Sequence, residues 1–97
     1  MDAELERLRR KRLEKLLRRN KPKVIVYSTP ACPYCRMAKE FLRSQNIEFE
    51  DVDVSKDRQR AIEMVRKSGQ TGVPVLDING TIIIGFNLPA IKQALHL

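Results

Sequence analysis

The apolar run Val24-Ile25-Val26-Tyr27 breaks at Ser28-Thr29-Pro30 and is followed at once by Cys32-Pro33-Tyr34-Cys35 and a helical pattern. A short β-branched run bounded by Pro22 and by Ser-Thr-Pro predicts a buried strand. From Pro33 onward Met37, Ala38, Phe41 and Leu42 recur at three- and four-residue spacing, with Arg36, Lys39, Glu40 and Arg43 between them. That spacing predicts a helix with one buried side. Pro33 suits the first helical position, where a missing N–H costs nothing, and Asn46 suits a left-handed stop. A strand passing directly into a helix places Cys32 at the helix N-terminus.

Cys32 and Cys35 are the only two cysteines of the chain. Two thiols with two residues between them can close a small disulfide within one helical turn, and the helix end favours a thiolate on the first. The chemistry this permits is thiol–disulfide exchange. One such pair is too few to staple a secreted fold, and so short a loop constrains the unfolded chain little. A closed zinc site wants four protein ligands, whereas this chain offers Cys32, Cys35 and the near-terminal His96, so no metal site and no tightly bound cofactor are expected.

The remainder completes a small α/β domain. Ile47 to Val54 alternates as a second strand with one phase change near Glu50-Asp51, and Asp57 opens a helix with the stripe Ala61, Ile62, Val65, flanked by Met64 and closed by Gly69. Strand, helix, strand at this spacing implies a right-handed crossover and parallel pairing. Val75–Ile78 and Thr81–Ile84 flank Asn79-Gly80, a strong hairpin signal. Asn87 can then cap a last helix carrying Leu88, Ile91 and Leu95 on one side. Asp77 is expected as an outward-facing edge residue and His96 as a terminal side chain without a role. The predicted fold is a four-stranded mixed sheet flanked by helices.

Residues 1–20 read as a separate element ahead of a domain at 21–97. Positions 3–19 hold no Gly or Pro and consist of strong helix formers, with Leu5, Leu8, Leu13, Leu16 and Leu17 on one side. Eight basic residues stand against four acidic ones in these first twenty, a large share of the net charge of +7. This amphipathic helix can pack on the domain, self-associate, bind an acidic partner, nucleic acid or anionic lipid, or stand as a solvated extension. No aromatic platform or groove-reading motif accompanies it, which argues against nucleic acid. No stretch approaches the roughly 18–20 apolar residues of a membrane span, and no secretory signal is visible, so a cytoplasmic setting is expected.

The motif Tyr27-Ser-Thr-Pro-Ala-Cys-Pro-Tyr-Cys35, the segment Thr71-Gly-Val-Pro-Val75 and the late Gly85-Phe86-Asn87 turn occur in that order. On these residues the stretch 23–97 resembles a glutaredoxin of the thioredoxin-fold superfamily. The resemblance implies a dithiol oxidoreductase reducing protein or glutathione mixed disulfides, with Cys32 as the nucleophile and Cys35 as the resolving thiol. It implies a cis-proline at Pro74, whose preceding Val73 offers backbone groups to a bound thiol, and a substrate or glutathione groove formed by Tyr34, Gly72, Val73, Pro74, Asn87 and Leu88. Glutathione is the implied cosubstrate. Many glutathione-using members carry a lysine three residues before the first cysteine, a threonine two before the cis-proline and an acidic pair after the late turn. Here those places hold Thr29, Gly72 and Asn87-Leu88. Similar Gly-Phe turns occur in glutaredoxin-like proteins recharged by thioredoxin reductase, the alternative partner. From other classes, an iron–sulfur cluster shared between two copies and completed by glutathione, or an adaptor using the N-terminal helix, stay open.

A helix N-terminus stabilises an adjacent anion by about 0.3–2 kcal/mol. The dipole alone falls short of full activation, so direct hydrogen bonds to the Cys32 sulfur from the N–H groups of Tyr34 and Cys35 and from the Cys35 thiol are expected.

Overall fold

A computed structural model of the chain describes residues 3–7, 9 and 21–97. Residues 3–7 and 9 are helical, and the rest of the expected N-terminal helix lies outside the described residues. The domain then runs β1 (Val24–Ser28), α1 (Pro33–Ser44), β2 (Glu50–Asp53), α2 (Arg58–Ser68), β3 (Val75–Ile78), β4 (Thr81–Ile84) and α3 (Leu88–Ala94). No described helix is long and apolar enough to cross a membrane.

The four strands form one sheet in the order β2-β1-β3-β4. β1 and β2 pair in parallel, Ile25 opposite Glu50, as the crossover rule requires. β1–β3 and β3–β4 are antiparallel. The hairpin turns on Asn79 and Gly80, with φ of 52° and 90°; the left-handed conformation at both positions matches the strand twist.

Because β1 is central, period-two alternation sends its side chains into two cores. Val24 and Val26 join Leu76, Ile78 and Ile83 beneath Ala38 and Leu42 of α1 and Ile91 of α3. Ile25 and Tyr27 join Val52 and Val75 beneath Met64 of α2. The sheet is thus the middle of three layers, and each fully buried aliphatic side chain contributes about 1.5–3 kcal/mol.

Four expectations need correction. The second strand is shorter than 47–54: Ile47 donates its N–H to Leu42 O at 2.9 Å, closing α1, so Ile47 and Phe49 pack from the connection rather than from a strand. On α2 the buried residue is Met64, at 2% exposure, while Ile62 and Val65 face out at 43% and 37%. With that rotation Met64 fills the core in their place, and Arg60, Glu63 and Lys67 reach Glu50, Tyr27 and Asp77 of the sheet. On α1 Met37 is exposed and Cys35 takes the expected inner place. Asp77 stands on the interior strand β3, where its carboxylate accepts from Lys67 Nζ at 2.8 Å and from Gly80 N–H at 2.8 Å.

The caps follow the sequence. Asp57 accepts from Arg60 N–H at 3.1 Å, Gly69 closes α2 at φ 75°, and Asn46 has φ 55° after α1.

Candidate functional site

Cys32 is the N-cap of α1, with extended backbone, and Pro33 occupies the first turn. An N-cap side chain normally offers an oxygen to an orphan helix N–H. Here sulfur fills that place: Cys35 N–H donates to Cys32 Sγ at 3.1 Å. The same bond that caps the helix therefore aims a backbone dipole at the first sulfur. Of the three donors expected from the sequence, Cys35 N–H bonds the Cys32 sulfur, and Tyr34 N–H does not.

The two thiols sit in different surroundings. Cys32 is partly exposed, whereas Cys35 is 1% exposed beneath the first turn of α1. Burial pushes the Cys35 thiol up to about 11, and its hydrogen bond to Cys32 pushes the same way. At neutral pH Cys35 is a thiol.

The loop before β3 meets this end of α1. The Val73–Pro74 peptide bond is cis, and the Cys32 thiol donates to Val73 O at 3.9 Å. Pro74 is buried and Val73 half-buried, while Gly72 is exposed and its carbonyl accepts from Gln70 Nε2 at 3.4 Å. Gly85 N–H donates to Pro74 O at 2.8 Å, tying the Gly85-Phe86-Asn87 turn to the same loop. Gly85 has φ 77°, a backbone conformation that a side chain would strain. Asn87 is exposed, and its Oδ1 accepts from Ala90 N–H at 3.2 Å as the cap of α3; Leu88 is half-buried. Tyr34, 62% exposed, completes the rim beside the cysteines. Cys32, Cys35, Val73 and Pro74 are thus brought into one place, and Asn87-Leu88 is attached to it through Gly85.

The sequence reading passed over Ser28, Lys39 and Asp51. Lys39 Nζ lies 2.9 Å from Asp51 Oδ2, and Ser28 Oγ donates to Asp51 Oδ1 at 2.9 Å. The one legible signal was the four-residue step from Cys35 to Lys39 on one helix. A cavity of about 630 Å³ lined by Arg43, Asn46, Ile47, Glu48, Phe49 and Asp51 lies toward the opposite end of α1. Among the described residues no three His, Cys, Asp or Glu gather as metal ligands.

The glutaredoxin family model matches residues 24–83. An uncharacterized glutaredoxin-like 8.6 kDa protein in the rubredoxin operon of Clostridium pasteurianum is 49% identical over 71 residues, covering 73% of this chain and 95% of the relative. Glutaredoxin 3 of Escherichia coli strain K12 is 34% identical over 62 residues, 64% of this chain and 75% of the relative. The crystal structure of the glutaredoxin from Methanosarcina mazei Go1 superposes with a TM-score of 0.69 at 30% identity, covering 77% of this chain and 79% of that one. The chain belongs to the glutaredoxin family, whose members are thiol–disulfide oxidoreductases.

Proposed function

We propose that the chain is a dithiol disulfide reductase in which Cys32 attacks, Cys35 resolves and glutathione restores the dithiol. The observation that carries this reading is the pairing of a partly exposed sulfur, capped by Cys35 N–H at 3.1 Å, with a buried neighbouring thiol. Cys32 thiolate attacks one sulfur of a substrate disulfide; a Cys32–substrate bond forms and the other substrate sulfur leaves as a thiolate that takes up a proton. Cys35 loses its proton and attacks Cys32 Sγ, releasing the second substrate sulfur and leaving a Cys32–Cys35 disulfide. The N–H and C=O of Val73 suit short antiparallel pairing with the extended backbone on either side of a substrate cysteine. Tyr34, exposed beside the cysteines, supplies an apolar wall, and the buried Pro74 fixes the loop that presents Val73. A cytoplasmic setting, where thiols are kept reduced, fits the cycle.

Two glutathione molecules reduce the oxidised pair: the first forms a mixed disulfide on Cys32, and the second releases it as glutathione disulfide. A second reading, recharging by a thioredoxin reductase, is favoured by the late turn. There the Asn87 carbonyl oxygen is engaged in capping α3 and Leu88 is apolar, so the turn offers no carboxylate to the amino end of glutathione. The test reduces the oxidised protein with glutathione and glutathione reductase and, separately, with thioredoxin reductase, following NADPH loss. Turnover in the first supports the glutathione route, turnover in the second alone supports the flavoprotein route, and none in either overturns the reductase reading.

A further inference from the structure

Lys39 lies one turn beyond Cys35 on α1, the helix whose Cys35, Ala38 and Leu42 turn toward the sheet. Its side chain is only 17% exposed, an enclosed position for an ammonium group, and is met by Asp51 Oδ2 at 2.9 Å. Asp51 is fixed in turn by the hydroxyl of Ser28, a residue 1% exposed at the end of β1. Three chain segments thus converge to hold one cation on the inner side of the helix that carries both cysteines. The Asp51 side chain is 44% exposed, so the Lys39 end of the pair is the sheltered one and the Ser28 hydroxyl is what fixes the carboxylate.

We propose that Lys39, anchored by Asp51 and Ser28, is a positioning residue for the second half of the exchange, its positive charge favouring proton loss from Cys35 Sγ as that sulfur attacks. The proposal rests on the dithiol reading. In this step the Cys35 S–H gives its proton to solvent and its electron pair forms the bond to Cys32 Sγ. The Cys32–substrate S–S bond breaks, and the substrate sulfur departs as a thiolate that is then protonated.

The step needs such help. Burial opposes the Cys35 anion, while the Thr29 backbone and the charge of Lys39 favour it. Around Lys39, β2 presents Asp51 and Asp53, with Lys56 beside Asp53, and Cys32 is the titratable neighbour of Cys35. Asp53 is engaged by the N–H and hydroxyl of Ser55 at 2.9 and 2.5 Å, and β1 presents only uncharged Val26 and Ser28 here. Lys39 is therefore the cation placed to act on Cys35.

The test uses the reduced full chain with Ellman's reagent, whose two coloured thiols leave in sequence: Cys32 attack frees the first, Cys35 attack the second. In stopped flow as a function of pH, Lys39→Met is expected to slow the second release about tenfold near neutrality and to move its profile about one pH unit to the alkaline side. The first release is expected to slow at least fivefold less, and Lys39→Arg is expected to recover most of the second rate. A Lys39→Met profile that overlays the wild type, an equal slowing of both releases, or Lys39→Arg as slow as Lys39→Met would each overturn the proposal. A wild-type chain that frees one coloured thiol only overturns the dithiol reading itself, and the proposal with it.

Discussion

Cys35 N–H donates to Cys32 Sγ at 3.1 Å, so one hydrogen bond both caps α1 and ties the outer sulfur to the backbone of the buried cysteine. The two cysteines are therefore unequal by construction, and their substitutions separate. Cys32→Ser is expected to abolish reduction of every disulfide. Cys35→Ser is expected to keep reduction of glutathione mixed disulfides within about tenfold while losing reduction of protein disulfides, because a second glutathione can replace the resolving thiol. Assays on a glutathionylated peptide and on an insulin-type protein disulfide check both.

Alkylation gives the second expectation. Cys35 is 1% exposed and its thiol is pushed up to about 11, chiefly by burial. Iodoacetamide at neutral pH should add once to the native reduced protein, at Cys32, and twice after unfolding, as read by mass spectrometry. The same shift sets a stability window. In the unfolded chain the Cys35 thiol ionises near its ordinary value of 9.0, in the folded chain only near 11. Its contribution is thus intact below 9, and the reduced protein loses stability as pH rises through that interval. Urea unfolding of the reduced wild type and of Cys35→Ser across this range should converge toward the alkaline end.

Met64→Ala is expected to cost about 2–5 kcal/mol, since Met64 is 2% exposed beneath the sheet. Ile62→Ala and Val65→Ala, on the outward side of α2, should stay within about 0.5 kcal/mol. Denaturant midpoints of the three variants check which stripe of α2 is internal.

The orientation of that helix predicts a fourth outcome. Lys67 Nζ donates to Tyr27 Oη and to Asp77 Oδ2, each at 2.8 Å, and Tyr27 Oη donates to Glu63. Burial works against the Lys67 charge, and the bonds to Asp77 and Tyr27 outweigh it, so the ammonium is held above its ordinary range. Lys67→Met leaves Asp77, whose side chain is 14% exposed, without its cation. A loss of about 1–3 kcal/mol is expected, measured by urea unfolding, with Asp77→Asn in the same background recovering part of it.

Local patterns written in consecutive residues could be read without coordinates. The β1-to-α1 junction at Cys32, the caps Asp57, Gly69 and Asn87, the Asn79-Gly80 hairpin and the parallel β1–β2 crossover all follow from turn chemistry and short-range periodicity. These act through the backbone of a few neighbours. The rotation of α2 is not legible in the sequence because Ala61, Ile62 and Val65 compete with Met64 on apolarity alone, while the residues that Met64, Glu63 and Lys67 meet come from other strands.

What the sequence determined by itself is a thiol pair at the head of a helix, on a mixed four-stranded sheet. Only the tertiary structure decided which sulfur is sheltered, that Asp77 stands on an interior strand, and that Lys39, Asp51 and Ser28 meet on the inner side of α1. Burial and ion pairing depend on groups from distant parts of the chain, and a linear spacing carries no record of which of them will share a face.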